Sequence, residues 1–197
     1  SSLAPNAGGV LEEPKPGRPD AERALPLAAP FSLPLTLGIH ARGRGDPSLR
    51  IEVSGSTWRA TRTPEGPVTL FLEARAGTAM ARAWGPGAAW AVASLEGLLG
   101  LDDDPAALVP HHPAVAAAVG KVRGLRFGHT GAVLEALVPA ILEQKVTGDE
   151  ARRAIRGLVH AYGEDAPGPP GLRLPPAPGV LGAPLPRVPS PRPGAAA

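Results

Sequence analysis

Cysteine is absent from the 197 residues, which excludes disulfides and thiolate metal ligands. That fits a reducing compartment, and the expected location is the cytoplasm. Long apolar runs are missing too, so no segment reaches the length needed to span a bilayer. A secretory signal is not visible at the N-terminus, where Leu11-Glu12-Glu13-Pro14-Lys15-Pro16 is polar and broken. An excess of charge is also lacking. Twenty Lys and Arg against 18 Asp and Glu leave a net charge of +2, and the pI of 9.5 reflects Arg outnumbering Lys. Composition therefore does not announce nucleic-acid binding; any basic face has to come from how the charges are arranged.

The usual catalytic constellations are missing as well. Asp102-Asp103-Asp104-Pro105 reads as an acidic helix start, where negative charge meets the positive end of the dipole, rather than as a metal site. His111-His112 has no second ligand at i+4, and His40, His129 and His160 are isolated. Gly43-Arg44-Gly45 lacks the Gly-Lys-Ser/Thr that would follow in a phosphate loop. Ser54 and Ser56 have no nucleophile-elbow context. No catalytic residue, metal site or cofactor is assigned.

What the chain has in quantity is proline and glycine, 26 and 25 residues. Residues 1–30 mix them with charge and show no period, which predicts a disordered leader. Residues 167–197 predict a Pro-rich disordered tail, although Pro167 to Pro176 also fits an ordered irregular connection. Within the tail, Pro184-Leu185-Pro186-Arg187-Val188-Pro189 has a spacing that SH3 or WW domains tolerate, but low-complexity tail is the commoner meaning.

Between these ends the pattern is α+β. Phe31, Leu33, Leu35, Leu37 and Ile39 alternate with polar or small residues, which predicts a half-buried strand with Pro34 confining it to an edge. Leu49 to Val53, Thr57 to Thr63, Val68 to Arg75 and Thr78 to Trp84 follow as strands separated by Gly and Pro turns, an antiparallel meander. Gly85-Pro86-Gly87 then hands over to a helix with Pro86 in its first position and Ala89, Val92, Ala93, Glu96 and Leu99 at helical spacing. The expected boundaries are 31–100 for a sheet-plus-helix domain and 101–166 for a partial helical domain.

The most informative stretch is Val133 to Tyr162. Val133, Leu134, Leu137, Val138, Ile141 and Leu142 recur on one helix face, interrupted by Pro139. Thr147-Gly148-Asp149-Glu150 fits a capping box. A second helix follows with Ala151, Ala154, Ile155, Leu158, Val159 and Tyr162 on one side and Arg152, Arg153, Arg156 and His160 on the other, closed by Gly163. By itself this is an αα-hairpin.

The run Ala140-Ile141-Leu142-Glu143-Gln144-Lys145-Val146-Thr147 resembles the A-I-L-x-Q-x-V-S/T segment of the DNA-3-methyladenine glycosylase II family, within the helix-hairpin-helix superfamily. Gly124-Leu125-Arg126-Phe127 is similar to the G-L-R run ahead of that segment, and His112-Pro113 to the start of an earlier short helix. The likeness covers roughly Phe31 to Ala166. It implies an N-terminal domain similar to half of a TATA-binding protein, and a DNA N-glycosylase of base excision repair that removes alkylated bases. Such enzymes flip the target nucleotide out of the duplex and fill the gap with a side chain. The resemblance puts that role at Gln144 or Lys145, with Thr147 beside them, as the DNA-binding residues; Gln144 equally fits a polar cap on a helix end. Lys145 departs from the apolar residue or Gln often seen in the family and is suited to a phosphate contact. Further cations offered for DNA are Lys121, Arg152, Arg153 and Arg156, which also fit a solvated helix face.

The hairpin that grips the DNA backbone and the catalytic Asp that follow in the family have no counterpart after Gly163, where the last Asp is Asp165. The expectation is a C-terminally truncated chain, through a frameshift near Leu174 or Pro178. Two other readings stay open: a non-catalytic DNA-binding remnant lacking the hairpin and the Asp, and a generic α+β protein. The expected partner is double-stranded DNA, with no membrane and no small-molecule cofactor. Self-association through apolar helix faces left uncovered is expected too.

Overall fold

The computed structural model describes residues 17–169 and 171–182, so the expected tail over 183–197, with its Pro184 to Pro189 motif, and the expected leader over 1–16 lie outside the described residues. The architecture is α+β. Five antiparallel strands, β1 (Ala21–Pro26), β2 (Leu49–Ile51), β3 (Thr57–Thr63), β4 (Gly66–Arg75) and β5 (Thr78–Trp84), form one sheet in the order β1-β5-β4-β3-β2. Strands β2 to β5 are the expected meander. The fifth member is a different segment from the one the alternation suggested.

Phe31 to Ile39 is not a strand. It carries a short helix, α1 (Leu33–Gly38), with Ser32 at its N-cap and a proline in the first turn, where the missing N–H costs nothing. Leu33 and Leu37, four apart, are 2% and 0% exposed, while Leu35 and Ile39 face outward. Burying the first pair contributes about 1.5–3 kcal/mol per side chain.

The true edge strand, Ala21–Pro26, lies inside the segment read as a disordered leader. It pairs with β5 from Ala21↔Ala83 to Pro26↔Thr78. Trp84 Nε1 donates to the Gly17 carbonyl at 2.8 Å, and the Gly85 N–H donates to Asp20 at 2.7 Å. These bonds fasten the segment from Gly17 onward.

One sheet face carries Leu25, Val68, Leu70, Leu72, Ala79, Ala81 and Ala83, packed against α1, α2 (Ala88–Ala93) and α3 (Leu95–Leu98). The single helix expected after Pro86 is thus two, divided at Ser94, and Gly87 rather than Pro86 opens the first. Arg23 of β1 ties this layer down, donating to the Val92 and Ala93 carbonyls at the end of α2 and to Glu96.

The other face holds Trp58, whose ring is tilted against those of Phe71 and Trp84 with centroids 4.6 and 5.5 Å away. This face is covered by residues from Pro167 to Pro176, the part of the expected tail that also fitted an ordered irregular connection. Leu172 and Leu174 are 6% and 1% exposed against Ala60 and Trp58. The Arg173 N–H donates to the Pro47 carbonyl, and Ser48 Oγ donates to the Arg173 carbonyl, both at 2.8 Å. Up to the short helix α7 (Pro178–Leu181), this segment is a strap across the sheet.

The helical part begins with a 3-10 turn, Pro105–Ala107, whose N-cap is Asp104, the acidic start that was expected. Next come α4 (Pro113–Lys121), capped by His112, then α5 (Val133–Leu142), which runs through the buried Pro139, and α6 (Gly148–Tyr162).

Candidate functional site at the α5–α6 hairpin

The hairpin meets the sheet where β2 runs out. β2 pairs with β3 only as far as Leu49↔Arg59, so the end of β3 has open edge groups. Glu135 of α5 fills that gap. Its carboxylate accepts from Arg59 Nη2 at 2.9 Å, from the Thr61 hydroxyl, and from the Arg62 backbone N–H at 3.2 Å. One carboxylate thus neutralises a guanidinium that is 5% exposed and caps a strand edge.

Below that contact a cleft of about 390 Å³ opens between the sheet edge and the hairpin, with Leu49, Val138, Ile155 and Val159 among its walls and His40 and Arg59 at its polar end. Burial, followed by the charges of Arg59 and Arg42, lowers the His40 pKa to about 4, so the imidazole is neutral near pH 7. The two cleft carboxylates are committed. Asp46 accepts from the backbone N–H groups of Arg42, Ser48 and Leu49, and Glu135 is held as described. Among the described residues the cleft therefore presents no carboxylate free of protein donors to act as a general base.

Gln144, Lys145 and Thr147 lie outside this cleft. They sit together at the exposed turn between α5 and α6, brought there by chain continuity. Thr147 does what the capping box requires: its hydroxyl accepts from the Glu150 N–H at 3.4 Å and donates to Glu150 Oε2, while Glu150 takes the Thr147 N–H at 2.9 Å. Those bonds from Thr147 hold Glu150 below the usual carboxylate range. The hydroxyl is thereby spent within the protein. Lys145 has φ +59°, in the left-handed region that non-glycine residues seldom occupy. Such backbone strain concentrates at functional sites.

The other cations divide. Arg152 pairs with Asp149, whose carboxyl it holds below the usual range, and Arg156 donates to the Arg42 carbonyl at 2.9 Å. Arg153 and Lys121 are exposed. Among the described residues no group of three His, Cys, Asp or Glu could hold a metal ion, and no helix is long and apolar enough to cross a membrane. Asp103 is occupied structurally, accepting the Phe127 N–H at 2.9 Å.

Sequence reasoning missed Arg59, Glu135 and His40 as a group. The available signal was Glu135 itself, an acid set within the apolar run of α5; its partner on β3 was not visible.

No protein-family model matches this chain, and no curated protein matches it. Solved structures do. MBOgg1, in complex with a low-affinity DNA ligand, superposes with a TM-score of 0.62 at 15% identity over 84% of this chain and 56% of that one. A 3-methyladenine DNA-glycosylase from Archaeoglobus fulgidus superposes with a TM-score of 0.61 at 18% identity, over 77% of this chain and 54% of that one. The fold is DNA-glycosylase-like. At these identities the likeness concerns the fold alone, and the chain spans a little over half the length of either glycosylase-like structure. In this glycosylase-like fold the described chain supplies the sheet, its helices and the α5–α6 hairpin.

Proposed function

We propose that this chain is the sheet-and-hairpin part of a DNA N-glycosylase that acts on alkylated bases in duplex DNA, with Gln144 and Lys145 at the point of contact with the opened duplex. The observation that carries the reading is the α5–α6 turn. It is exposed, Lys145 is held there at φ +59°, and the capping box fixes where α6 starts. A side chain that enters a duplex must be presented by rigid backbone and must not be spent on contacts within the protein. The fold shared with a 3-methyladenine DNA-glycosylase supports the choice of reaction class.

A second reading is favoured by the cleft. Asp46 and Glu135 are both tied to donors, and His40 is neutral, so chemistry at a glycosidic bond has no obvious group to stabilise the departing charge. On that reading the chain is a DNA-binding unit without catalysis. Incubation with duplex DNA containing methylated purines, followed by assay for free base, separates the two. Release of base above the spontaneous rate supports the enzyme. Retention of every base, together with measurable duplex binding, supports the non-catalytic unit.

A further inference from the structure

We propose that the loop Arg42–Asp46 and the adjoining face of α6 form a second contact strip, which grips the phosphate backbone of duplex DNA beside the hairpin turn. The inference rests on the DNA-binding reading above and adds where the affinity comes from.

The strip is continuous. A Cβ placed on Gly43 would lie 2.9 Å from Arg152 Cδ and 3.4 Å from Arg156 Nη1, so the loop is laid directly on the α6 arginines. Arg156 pins it by donating to the Arg42 carbonyl. At the other end Arg152 Nη1 comes within 3.2 Å of a Cβ placed on Gly148, one turn from Lys145. Arg44, Arg152, Arg153, Arg156 and Lys145 therefore run along one side of the molecule.

Charge is segregated here although the chain as a whole is only +2. The carboxylates among these cations are Asp46, Asp149, Glu150 and the exposed Glu143 at the turn, and the first three are occupied: Asp46 by three backbone N–H groups, Asp149 by Arg152, Glu150 by the cap. Among the described residues no hydrogen bond or ion pair holds the side chains of Arg44, Arg153 or Lys145, although the charge of Arg153 helps to lower the pKa values of Asp149 and Glu150.

The loop adds neutral donors. Gly43 and Gly45 have φ +82° and +75°, whereas Arg44 between them is not left-handed. Alternation of this kind turns successive N–H groups toward one side and makes an anion-binding concavity. Among the described residues no acceptor takes the N–H of Gly43, Arg44 or Gly45. Free N–H groups beside guanidinium groups suit phosphate oxygens. The exposed residues of this loop and of α6 include no bulky apolar side chain, so an anionic bilayer would find no anchor in the strip.

The test is duplex binding by the full chain as a function of salt, for a 20-base-pair duplex, comparing wild type with Arg44→Ala/Arg153→Ala. Both side chains are exposed and make no hydrogen bond among the described residues, so the fold is left intact. Each lost phosphate contact lowers the slope of log K against log salt by about 0.9, so the variant's slope is expected to be shallower by about 2 with weaker binding at low salt. A charge-matched control, Arg75→Ala/Arg123→Ala, is expected to keep the wild-type slope. Unchanged slope and affinity in the Arg44/Arg153 variant would overturn the strip while leaving DNA binding in place. So would equal losses in both variants. Failure of the wild type to bind any duplex would remove the DNA-binding reading itself. Binding to phosphatidylserine vesicles but not to duplex would overturn the strip in favour of a membrane surface.

Discussion

Glu135 on α5 and Arg59 on β3 meet at 2.9 Å with their side chains only 18% and 6% exposed. The pair joins the helical part to the sheet, because few other polar contacts cross between α5 and β3. Removing one member leaves the other buried without compensation, at a cost of about 3–5 kcal/mol. Glu135→Ala is therefore expected to lower the unfolding free energy measured in urea by that amount, and Arg59→Met/Glu135→Leu to recover most of the loss. A Glu135→Ala variant that unfolds with wild-type stability would show that the contact does not hold the two parts together.

His40 gives stability a pH dependence. Its folded pKa of about 4 lies below the ordinary 6.5, so the unfolded chain binds more protons than the folded one between those values. The folded state's advantage is complete above pH 6.5 and is lost as pH falls toward 4. Thermal melts of wild type and His40→Gln are expected to diverge in that window, the wild type losing more. Parallel curves would mean that His40 is solvated in the folded state.

The apolar face of α5 is largely uncovered. Val133, Leu137 and Ile141 are 75%, 48% and 54% exposed, and α4 has no buried residue at all. Exposed surface of this kind draws partners. The isolated chain is expected to bind a hydrophobic dye and to sediment faster as concentration rises, and Leu137→Lys/Ile141→Lys is expected to abolish both. A clean monomer with a cooperative, high-temperature melt and no dye binding would contradict this.

Much of this was legible in the sequence because local rules decided it. The capping box at Thr147 and Glu150 forms as its residues require, and β3, β4 and β5 follow from turn-bounded alternation. Phe31 to Ile39 was misread because Leu33 and Leu37 satisfy both a two-residue and a four-residue period. The tie was broken by the helix-favouring proline position and by a tertiary pocket that buries only those two. Ala21–Pro26 and the strap at Leu172 and Leu174 were hidden among prolines, since their order comes from long-range partners, Ala83 and Ala60, rather than from local propensity. The same holds for the site. Gln144 and Lys145 were visible as a motif, whereas Arg59 and Glu135 are 76 residues apart and become a pair only in the fold.

On the proposed function, the α5–α6 turn meets an opened duplex through Lys145. The most direct measurement is the affinity of wild type and Lys145→Ala for two duplexes, one intact and one with an abasic gap. The substitution is expected to weaken binding to the gapped duplex by about tenfold, and binding to the intact duplex by clearly less. Equal losses on both would reduce Lys145 to an ordinary phosphate contact. No change on either would contradict the assignment of this turn to the DNA.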